Sequence, residues 1–256
     1  MSDFEQYASK YKSIRMERRD GILLMTLHTD GGELQWGGVP HGELPRAFHD
    51  VGADRENKVI ILAGTGEYFS GPRPAGGGPK YKRPTLEWDR VFWEARHLLM
   101  NMLDIDVPMI AAVNGPAMRH SELPLMCDIV LASDTATFED AGHFENGLVP
   151  GDGVNIIYPL LLGLNRARYF LLTGQSLGAQ EAKELGLVNE VLPKDKLMAR
   201  AWEHAERLAG FPLLHLKYTR MILVEELKRT MQSHLGYSFL LEGMANQVKP
   251  DAPKAA

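Results

Sequence analysis

The stretch from Ile110 to Gly153 contains the side chains best suited to proton chemistry. His143 lies in a segment too rich in glycine for a helix interior, and Asp152 follows nine residues later, beside two more glycines. An imidazole whose pKa lies near neutrality can take a proton from water and later return it. A carboxylate on one ring nitrogen would fix the tautomer and leave the other nitrogen as the base. The alternatives are a histidine on a surface loop and an aspartate that caps a helix.

Two further side chains could hold a carbonyl oxygen. His120 stands at the start of a predicted helix, where a side-chain N–H can donate to an oxygen that gains charge. Trp36, in ELQWGG, carries an indole N–H that donates a hydrogen bond and cannot accept one. By themselves both residues also fit simpler interpretations. His120 could be a polar cap or a surface residue, and Trp36 could be a core aromatic at the end of a strand.

Two glutamates complete the set of candidates. Glu242 lies in LLEGMAN, so its carboxylate is either exposed or points inward as a third member behind His143. Glu122 lies three residues beyond Arg119, and Pro124 should disturb the local helix, which leaves open whether Glu122 faces the site. The histidines nearest one another in sequence lack the i, i+4 spacing of a helical zinc pair, so the sequence predicts no metal site.

Length and charge restrict the class of protein. With 256 residues, of which 45% are hydrophobic, the chain can bury a sizeable core and fits one large domain plus an appendage. A net charge of -5 provides no basic face for neutralising phosphates, which argues against nucleic acid as a partner. Cys127 is the only cysteine, so an internal disulfide is excluded. Neither a signal peptide nor a membrane span is evident, and we expect a cytoplasmic protein without membrane attachment.

Strands alternate with helices along most of the chain. Apolar runs predict strands at 14–18, 22–28, 58–63, 109–113, 128–132 and 187–192, with Asp20-Gly21 as a hairpin turn. Helical periodicity predicts helices at 41–53, 85–103, 121–126, 153–162, 164–172 and 179–185. Such alternation is typical of βαβ units and predicts an α/β fold with a largely parallel sheet.

The chain changes character at about residue 195. Beyond it follow three helix-like segments, KLMARAWEHAERLAG, PLLHLKYTRMILVEELKRTM and SHLGYSFLLEGMANQV. We therefore predict a core domain over 1–194 and a C-terminal helical segment over 195–256, whose many apolar positions need a partner surface. The Gly- and Pro-rich loop 71–84 is either a lid over the site or a disordered excursion. The polar end KPDAPKAA is predicted to be mobile.

Several motifs together resemble the crotonase, or enoyl-CoA hydratase/isomerase, superfamily. They are AAVNGPA, ELPLMCDIVLASDTATF and GLVPGDG between residues 111 and 153, with VIILAGTG at 59–66, TGEYFSG at 65–71 and LLTGQSLGAQEAKELGLVNEVLP at 171–193. The resemblance covers roughly residues 12–245 and implies a crotonase-like ββα spiral with a C-terminal helical trimerisation segment. It also implies a homo-oligomer, either a trimer or a hexamer built from two trimers.

The chemical positions depart from those of the acyl-CoA enzymes in that superfamily. Residues 118–121, MRHS, replace the glycines that supply a backbone N–H to the thioester, and residues 141–143, AGH, replace the second catalytic glutamate. Asp152 takes the place of a small residue. Together with Trp36 and Glu242, these replacements resemble the β-diketone hydrolases, the group that includes 6-oxocamphor hydrolase.

That resemblance implies a role for each candidate residue. The expected catalytic residues are His143, Asp152, His120 and Glu242. The expected substrate-binding residues are Trp36, His120 and Gly71, of which Gly71 could still supply one backbone N–H although a proline follows it. Glu122 aligns with a hydratase glutamate and is a second-rank candidate. No metal or organic cofactor is expected, because the second carbonyl of the substrate accepts the electrons itself.

Three functions are compatible with the sequence. The leading hypothesis is a hydrolase that cleaves the carbon–carbon bond of a cyclic or bicyclic β-diketone by a retro-Claisen reaction and yields a keto acid. The alternatives are an acyl-CoA hydratase or isomerase and a catalytically inactive crotonase-like scaffold. Loss of activity by drift would leave arbitrary residues in the site. The replacements here are His, Asp and Trp, which are competent in proton transfer or hydrogen bonding.

Overall fold

The computed structural model describes residues 3–71 and 83–247. The loop predicted as a lid or excursion over 71–84 therefore falls almost entirely outside the described residues, and so does the C-terminal KPDAPKAA. Within the described part, α-helices surround a mixed sheet that is mostly parallel. This arrangement confirms the predicted α/β class.

The main sheet has six strands in the order β1-β2-β3-β4-β5-β8. Strand β1 pairs with β2 in antiparallel fashion, and the remaining neighbours are parallel. The bounds are β1 Ile14–Arg19, β2 Ile22–Leu27, β3 Val59–Gly64, β4 Met109–Val113, β5 Ile129–Ser133 and β8 Glu190–Leu192; a second pair consists of β6 Thr137–Phe138 and β7 Leu177–Gly178. The central strands are buried on both faces, which explains why they read as continuous apolar runs.

The helices lie close to the predicted positions. Their bounds are α1 Asp3–Tyr7, α2 Gly38–Ala53, α3 Thr85–Asp104, α4 Glu122–Leu125, α5 Val154–Leu162, α6 Leu164–Thr173, α7 Ala179–Glu184, α8 Lys194–Ala209 and α9 Leu213–Ala245, with a 3-10 turn at Phe144–Asn146. The hairpin turn is also where the sequence predicts it. Asp20 and Gly21 both have positive φ, of 53° and 81°, as the tight turn between β1 and β2 requires.

The C-terminal segment corrects one prediction. The sequence predicts three helices beyond residue 195, whereas the described chain forms two, because Leu213–Ala245 is a single helix of 33 residues. No proline interrupts this stretch, and Gly236 inside it costs only about 1 kcal/mol relative to alanine. Because the helix is continuous, Glu242 belongs to the same helix as the residues that anchor it to the sheet domain.

The two C-terminal helices contribute to the core. Leu197, Ala201 and Ala205 of α8 lie in one buried cluster with residues of β3 and β4 on the second face of the sheet. Helix α9 is anchored by Arg220, which is almost fully buried and donates to the Asp128 carboxylate at 2.7 Å. The division into 1–194 and 195–256 stays a prediction, but α8 packs against the sheet itself.

Loops that follow parallel strands carry several candidate site residues: Trp36 follows β2, Gly71 follows β3 and His120 follows β4. Because the carboxyl ends of parallel strands meet at one edge of a sheet, such loops come together. Backbone hydrogen bonds hold them in place: the N–H of Met118 donates to the Ser70 carbonyl at 3.1 Å, and the N–H of Ala141 donates to the Met118 carbonyl at 2.9 Å. None of the helices in the described ranges combines the length and the apolar composition that a membrane span needs.

Candidate active site

A cavity at this edge of the sheet collects most of the predicted site residues. Polar groups and aromatic or aliphatic side chains share its wall. The lining residues are Trp36, His41, Arg83, Trp88, Val91, Ala95, Arg119, His120, Gly142, His143, Leu148, Asp152, Phe239, Glu242 and Asn246. Two predicted residues, Glu122 and Gly71, are not part of this wall.

His143 is buried, with both ring nitrogens close to carboxylates. Its Nδ1 lies 2.6 Å from Oδ1 of Asp140. Its Nε2 lies 3.3 Å from Oδ2 of Asp152 and 3.8 Å from Oε1 of Glu242. His143 is therefore neither a surface loop residue nor a lone imidazole. The Asp140 contact fixes a proton on Nδ1 and leaves Nε2 toward the cavity.

Asp140 is a residue that the sequence analysis missed. The sequence predicts that Asp152 fixes the tautomer of His143, but Asp140 holds that position at Nδ1. Asp152 lies at Nε2, on the cavity side of the ring. The physical reason is local, because the turn Asp140–His143 brings residues i and i+3 together, while Asp152 arrives across the following loop. The sequence signal was the spacing DAGH, in which an acid precedes the histidine by three residues.

Asp152 does not cap a helix. Gly153 occupies the N-cap position of α5 and makes no side-chain cap, so the helix-cap interpretation is wrong. The Asp152 carboxylate instead lies between two histidines, with Oδ2 at 3.3 Å from Nε2 of His143 and 3.5 Å from Nδ1 of His120.

Glu242 points inward, which resolves the alternative left open by the sequence. Its helix approaches the Asp152 turn closely because Gly151 has no side chain: a Cβ there would lie 2.7 Å from the Ser238 carbonyl and 2.8 Å from Oε2 of Glu242. The Ser238 hydroxyl donates to the Gly151 carbonyl at 2.8 Å and secures this contact. Glu242 is found on the Nε2 side of His143 rather than behind it.

The ionisation of these groups follows from burial and from their neighbours. Burial disfavours the imidazolium of His143, but the carboxylates of Asp152 and Asp140 outweigh it and raise the pKa of His143 well above its ordinary value. Burial would raise the pKa of Asp152, yet the imidazoles of His143 and His120 hold it well below the usual range. Burial raises the pKa of Glu242 to about 8, so this carboxyl keeps its proton at neutral pH.

His120 has an unusual backbone conformation. Its φ of +50° lies in the left-handed region, which favours glycine and costs a larger residue about 1 to 3 kcal/mol. The imidazole lies against Trp36, with ring centroids 4.0 Å apart and ring planes tilted by 33°. Its Nδ1 lies 2.7 Å from Oε1 of Glu122. His120 thus occupies a backbone position suited to glycine and is held there by contacts to its ring.

Trp36 is placed as a donor without an acceptor. Its indole Nε1 is buried and has no hydrogen-bond partner among the described residues. A buried N–H that lacks an acceptor costs about 1 to 3 kcal/mol, so its presence beside a cavity calls for a ligand oxygen. Trp36 is only partly buried and packs at the margin of the core, so it fits the predicted donor role better than the core role.

Gly71 does not fit its predicted role. Its backbone N–H donates to the Leu34 carbonyl at 2.7 Å and is not free to meet a substrate oxygen. The geometry therefore contradicts the use of Gly71 as an oxyanion donor in this conformation. The left-handed φ of Gly71, +57°, turns the chain so that this internal bond forms.

Glu122 lies behind His120 and is fully buried. The four-residue helix α4 includes Pro124 and still directs the Glu122 carboxylate toward His120, so the predicted disturbance by proline does not turn it away. His41 is a second residue that the sequence analysis missed. Its Nδ1 lies 2.9 Å from Oε2 of Glu94, and burial lowers its pKa.

One acidic and histidine-containing cluster has the composition of a metal site. In the described part of the chain, His120, Glu122 and Asp152 each bring a possible ligand atom within 4.8 Å of the others. Two of these atoms, Nδ1 of His120 and Oε1 of Glu122, are already hydrogen-bonded to each other. We interpret the cluster as part of a network in which buried carboxylates pair with His120 and His143, and we assign no metal to it.

The left-handed backbone of His120 leads to a prediction about stability. We expect His120→Gly to be more stable than His120→Ala by about 1 kcal/mol, because only glycine adopts positive φ without steric cost. Both variants lose the imidazole and its contact with Trp36, so the pair isolates the backbone. The measurement is the thermal unfolding midpoint at a fixed protein concentration. Equal midpoints would show that the backbone at this position carries no strain.

Comparison with known proteins identifies the family. Residues 21–241 match the profile of the enoyl-CoA hydratase/isomerase family. The chain belongs to this family. The family assignment accounts for the sheet and helix arrangement and agrees with the crotonase resemblance of the sequence motifs.

Two relatives are named as enoyl-CoA hydratases. The probable enoyl-CoA hydratase EchA12 of Mycobacterium tuberculosis (strain ATCC 25618 / H37Rv) is 33% identical over 188 residues, which are 70% of this chain and 65% of that protein. The match thus spans less than two thirds of that relative's length. The solved enoyl-CoA hydratase/isomerase from Mycobacterium paratuberculosis is 25% identical with a TM-score of 0.84, over 93% of this chain and 95% of that chain.

A solved β-diketone hydrolase is more similar in both sequence and structure. The enzyme from the cyanobacterium Anabaena sp. PCC 7120, bound to (S)-3-oxocyclohexyl acetic acid, is 47% identical to this chain with a TM-score of 0.89. The similarity covers 94% of this chain and 96% of that chain. Within the enoyl-CoA hydratase/isomerase family, this chain therefore resembles a protein named as a β-diketone hydrolase at higher identity than it resembles the two proteins named as enoyl-CoA hydratases.

Proposed function

We propose that this family member hydrolyses the carbon–carbon bond between the two carbonyls of a cyclic or bicyclic β-diketone. The observation that carries the proposal is the buried Trp36 N–H, which lacks an acceptor among the described residues, lies beside His120 and shares a cavity with His143. The two carbonyls of a β-diketone are separated by one carbon. Two adjacent sites of different chemistry suit them: one that activates water and one that receives negative charge.

Water attack is assigned to the His143 side of the cavity. The Nε2 of His143 takes a proton from water, and the resulting hydroxide adds to one ketone carbon. The Asp140 contact at 2.6 Å holds the proton on Nδ1, so that Nε2 is the atom that titrates. Asp152, at 3.3 Å from Nε2, stabilises the imidazolium that forms.

Charge development is assigned to the Trp36 and His120 side. The tetrahedral adduct collapses, the carbon–carbon bond breaks, and its electron pair becomes an enolate on the second carbonyl. The indole N–H and the imidazole N–H donate to that oxygen as it gains charge. A proton then returns to the enolate carbon from the His143 imidazolium, and one water has been consumed per keto acid formed. Glu242, protonated at neutral pH, is the other acid within reach.

A substrate screen tests the proposal. We expect cyclic and bicyclic β-diketones to lose their enol absorbance on incubation with the protein and to yield keto acids. In water enriched with oxygen-18, the new carboxyl group should contain one labelled oxygen. Absence of turnover over a varied set of diketones would reject the function. Chelators should leave the rate unchanged, since no step uses a metal.

The alternative is thioester chemistry, which the names of the sequence relatives favour. That chemistry needs paired backbone donors, but the Gly71 N–H is engaged by the Leu34 carbonyl and the glycine turn is replaced at His120. Calorimetric binding of CoA, and turnover of enoyl-CoA esters, would favour this alternative. A protein that binds neither diketone nor CoA would be the inactive scaffold.

The charged surroundings of His143 predict a pH profile. Since its pKa is raised by Asp152 and Asp140, the neutral base accumulates only above the ordinary histidine range, and we expect kcat/KM to rise with pH above about 6.5. Asp140→Asn removes one carboxylate, so the pKa of His143 falls and the rising limb moves to lower pH. The maximal rate should also fall, because an amide can fix the wrong tautomer. An unchanged limb with only a lower melting temperature would assign Asp140 to structure alone.

We also propose that the protein assembles through its C-terminal helix, as a trimer or a dimer of trimers. Large apolar side chains on α9 face solvent in the single chain, among them Ile222 at 76% exposure and Leu240 at 60%. Such exposed apolar surface usually marks an interface. Sedimentation at micromolar concentration is expected to give a trimer or its multiple, and a stable monomer would contradict this.

A further inference from the structure

The hydrogen bond between His120 and Glu122 restricts where the protons of His120 can be. A neutral imidazole carries one N–H, and the other nitrogen is an acceptor. If that N–H is on Nδ1 and donates to the Glu122 carboxylate at 2.7 Å, Nε2 presents a lone pair. The described residues give Nε2 no hydrogen-bond partner. A bare Nε2 would repel a carbonyl oxygen rather than hold it.

We propose that Glu122 is a positioning residue that keeps His120 doubly protonated, so that the substrate oxygen meets a cationic N–H donor. The expected effect on catalysis rests on the proposed function. The assignment of two protons to His120 does not. In this protein the glutamate in the α4 helix binds no substrate atom. It acts through the imidazole that it contacts from behind the cavity wall.

The charges around His120 support this assignment. The two nearest groups are acidic: Glu122 Oε1 at 2.7 Å and Asp152 Oδ2 at 3.5 Å from Nδ1. The His41 ring is farther away, with its centroid 6.0 Å from that of the His120 ring. The titratable and charged groups that face His120 from the surrounding elements are His41, Arg119, Glu122, His143, Asp152 and Glu242. Coulomb interactions fall with distance, so the two adjacent carboxylates dominate.

Burial and charge act in opposite directions on this pair. Burial disfavours the imidazolium, but the carboxylates of Glu122 and Asp152 outweigh it and raise the pKa of His120. Burial also raises the pKa of Glu122, and the neighbouring imidazolium counteracts part of that rise. The second oxygen of Glu122 has no partner among the described residues, so His120 is the side chain on which this buried carboxylate depends.

Trp36 provides an optical probe of the proton on His120. A protonated imidazole in contact with an indole quenches its fluorescence, and the two rings are 4.0 Å apart. We would follow the fluorescence of the wild type and of Glu122→Gln as a function of pH without substrate. The chain has four tryptophans, and subtracting the fluorescence of Trp36→Phe removes the signal of the other three. We expect relief of quenching at a lower pH in Glu122→Gln than in the wild type. Equal midpoints would overturn the proposal.

Kinetics provide a second test. Glu122→Gln should lower kcat by about 10-fold to 100-fold with little change in KM, because a cationic donor gains most when the oxygen becomes charged. Loss of the second proton from His120 should give the pH profile of kcat a falling limb, and this limb should lie at lower pH in Glu122→Gln, as the fluorescence midpoint does. Unchanged kinetics in a protein that turns over diketones would reject the role of Glu122 while leaving the function intact.

A measurement on the wild type covers the case in which Glu122→Gln does not fold. Nitrogen-15 spectra of histidine-labelled protein, with the His120 signals assigned from His120→Gly, report the proton on each ring nitrogen. We expect both nitrogens of His120 to be protonated at neutral pH, and a single protonated nitrogen would overturn the proposal. Neither spectrum nor fluorescence needs a substrate, so both remain decisive if no diketone is cleaved.

Discussion

His143→Ala is expected to lower the rate of diketone hydrolysis by about 100-fold to 10,000-fold, the usual contribution of a positioned general base. The imidazole lies in a loop before a short 3-10 turn, so its removal should leave the sheet and helices in place. The carboxylates of Asp140 and Asp152 then lose their shared cationic neighbour, and some loss of thermal stability is expected. Steady-state kinetics, circular dichroism and sedimentation would be measured on the same preparation.

An exposed histidine provides the matched control for that variant. His49→Ala makes the same change of side chain on an exposed part of α2 and should retain the wild-type rate. If His143→Ala also keeps most of the rate, water is activated by another group and the base assignment fails. His41, whose pKa is lowered by burial, and Asp152 also line the cavity and would then be the candidates for the base.

Trp36→Phe is the second substitution with a large expected effect. Removing the indole N–H should lower kcat by about 10-fold to 1,000-fold, which corresponds to roughly 1.4 to 4 kcal/mol of transition-state stabilisation. A moderate rise in KM is also expected, since the resting ketone already accepts a hydrogen bond. Phenylalanine retains a large aromatic ring beside His120, so the test addresses the N–H more than the packing.

Trp202→Phe is the control for Trp36→Phe. Trp202 lies on α8, packs at the margin of the second core cluster and stacks beneath the Arg19 guanidinium at 4.3 Å, away from the cavity. We expect a change in stability there without a change in kcat. Normal kinetics in Trp36→Phe, combined with a lower melting temperature, would make the indole a structural residue and weaken the assignment of the carbonyl site.

Local sequence patterns were sufficient for most of the fold. Strand β4 begins and ends where the apolar run predicts, because a strand buried on both faces reads as an uninterrupted apolar segment. The hairpin at Asp20-Gly21 was predictable because positive φ restricts residue choice. The split of α9 into two helices was wrong: the predicted break falls at Gln232, where neither a glycine nor a proline interrupts the helix.

The sequence by itself determined which chemical groups are available: His143, Asp152, His120 and Trp36 could be named from residue type and from the family resemblance. Only the tertiary structure decided which nitrogen each carboxylate meets. Asp140 rather than Asp152 contacts Nδ1 of His143, and the Gly71 N–H donates its hydrogen bond to the Leu34 carbonyl. Asp140 is local in sequence to His143, but which of the two carboxylates meets Nδ1 depends on the side-chain directions in the folded turns, which sequence spacing does not encode. The Gly71 bond joins two loops that are distant in sequence. Close approach of α9 at Gly151 likewise arises from packing and brings Glu242 into the site.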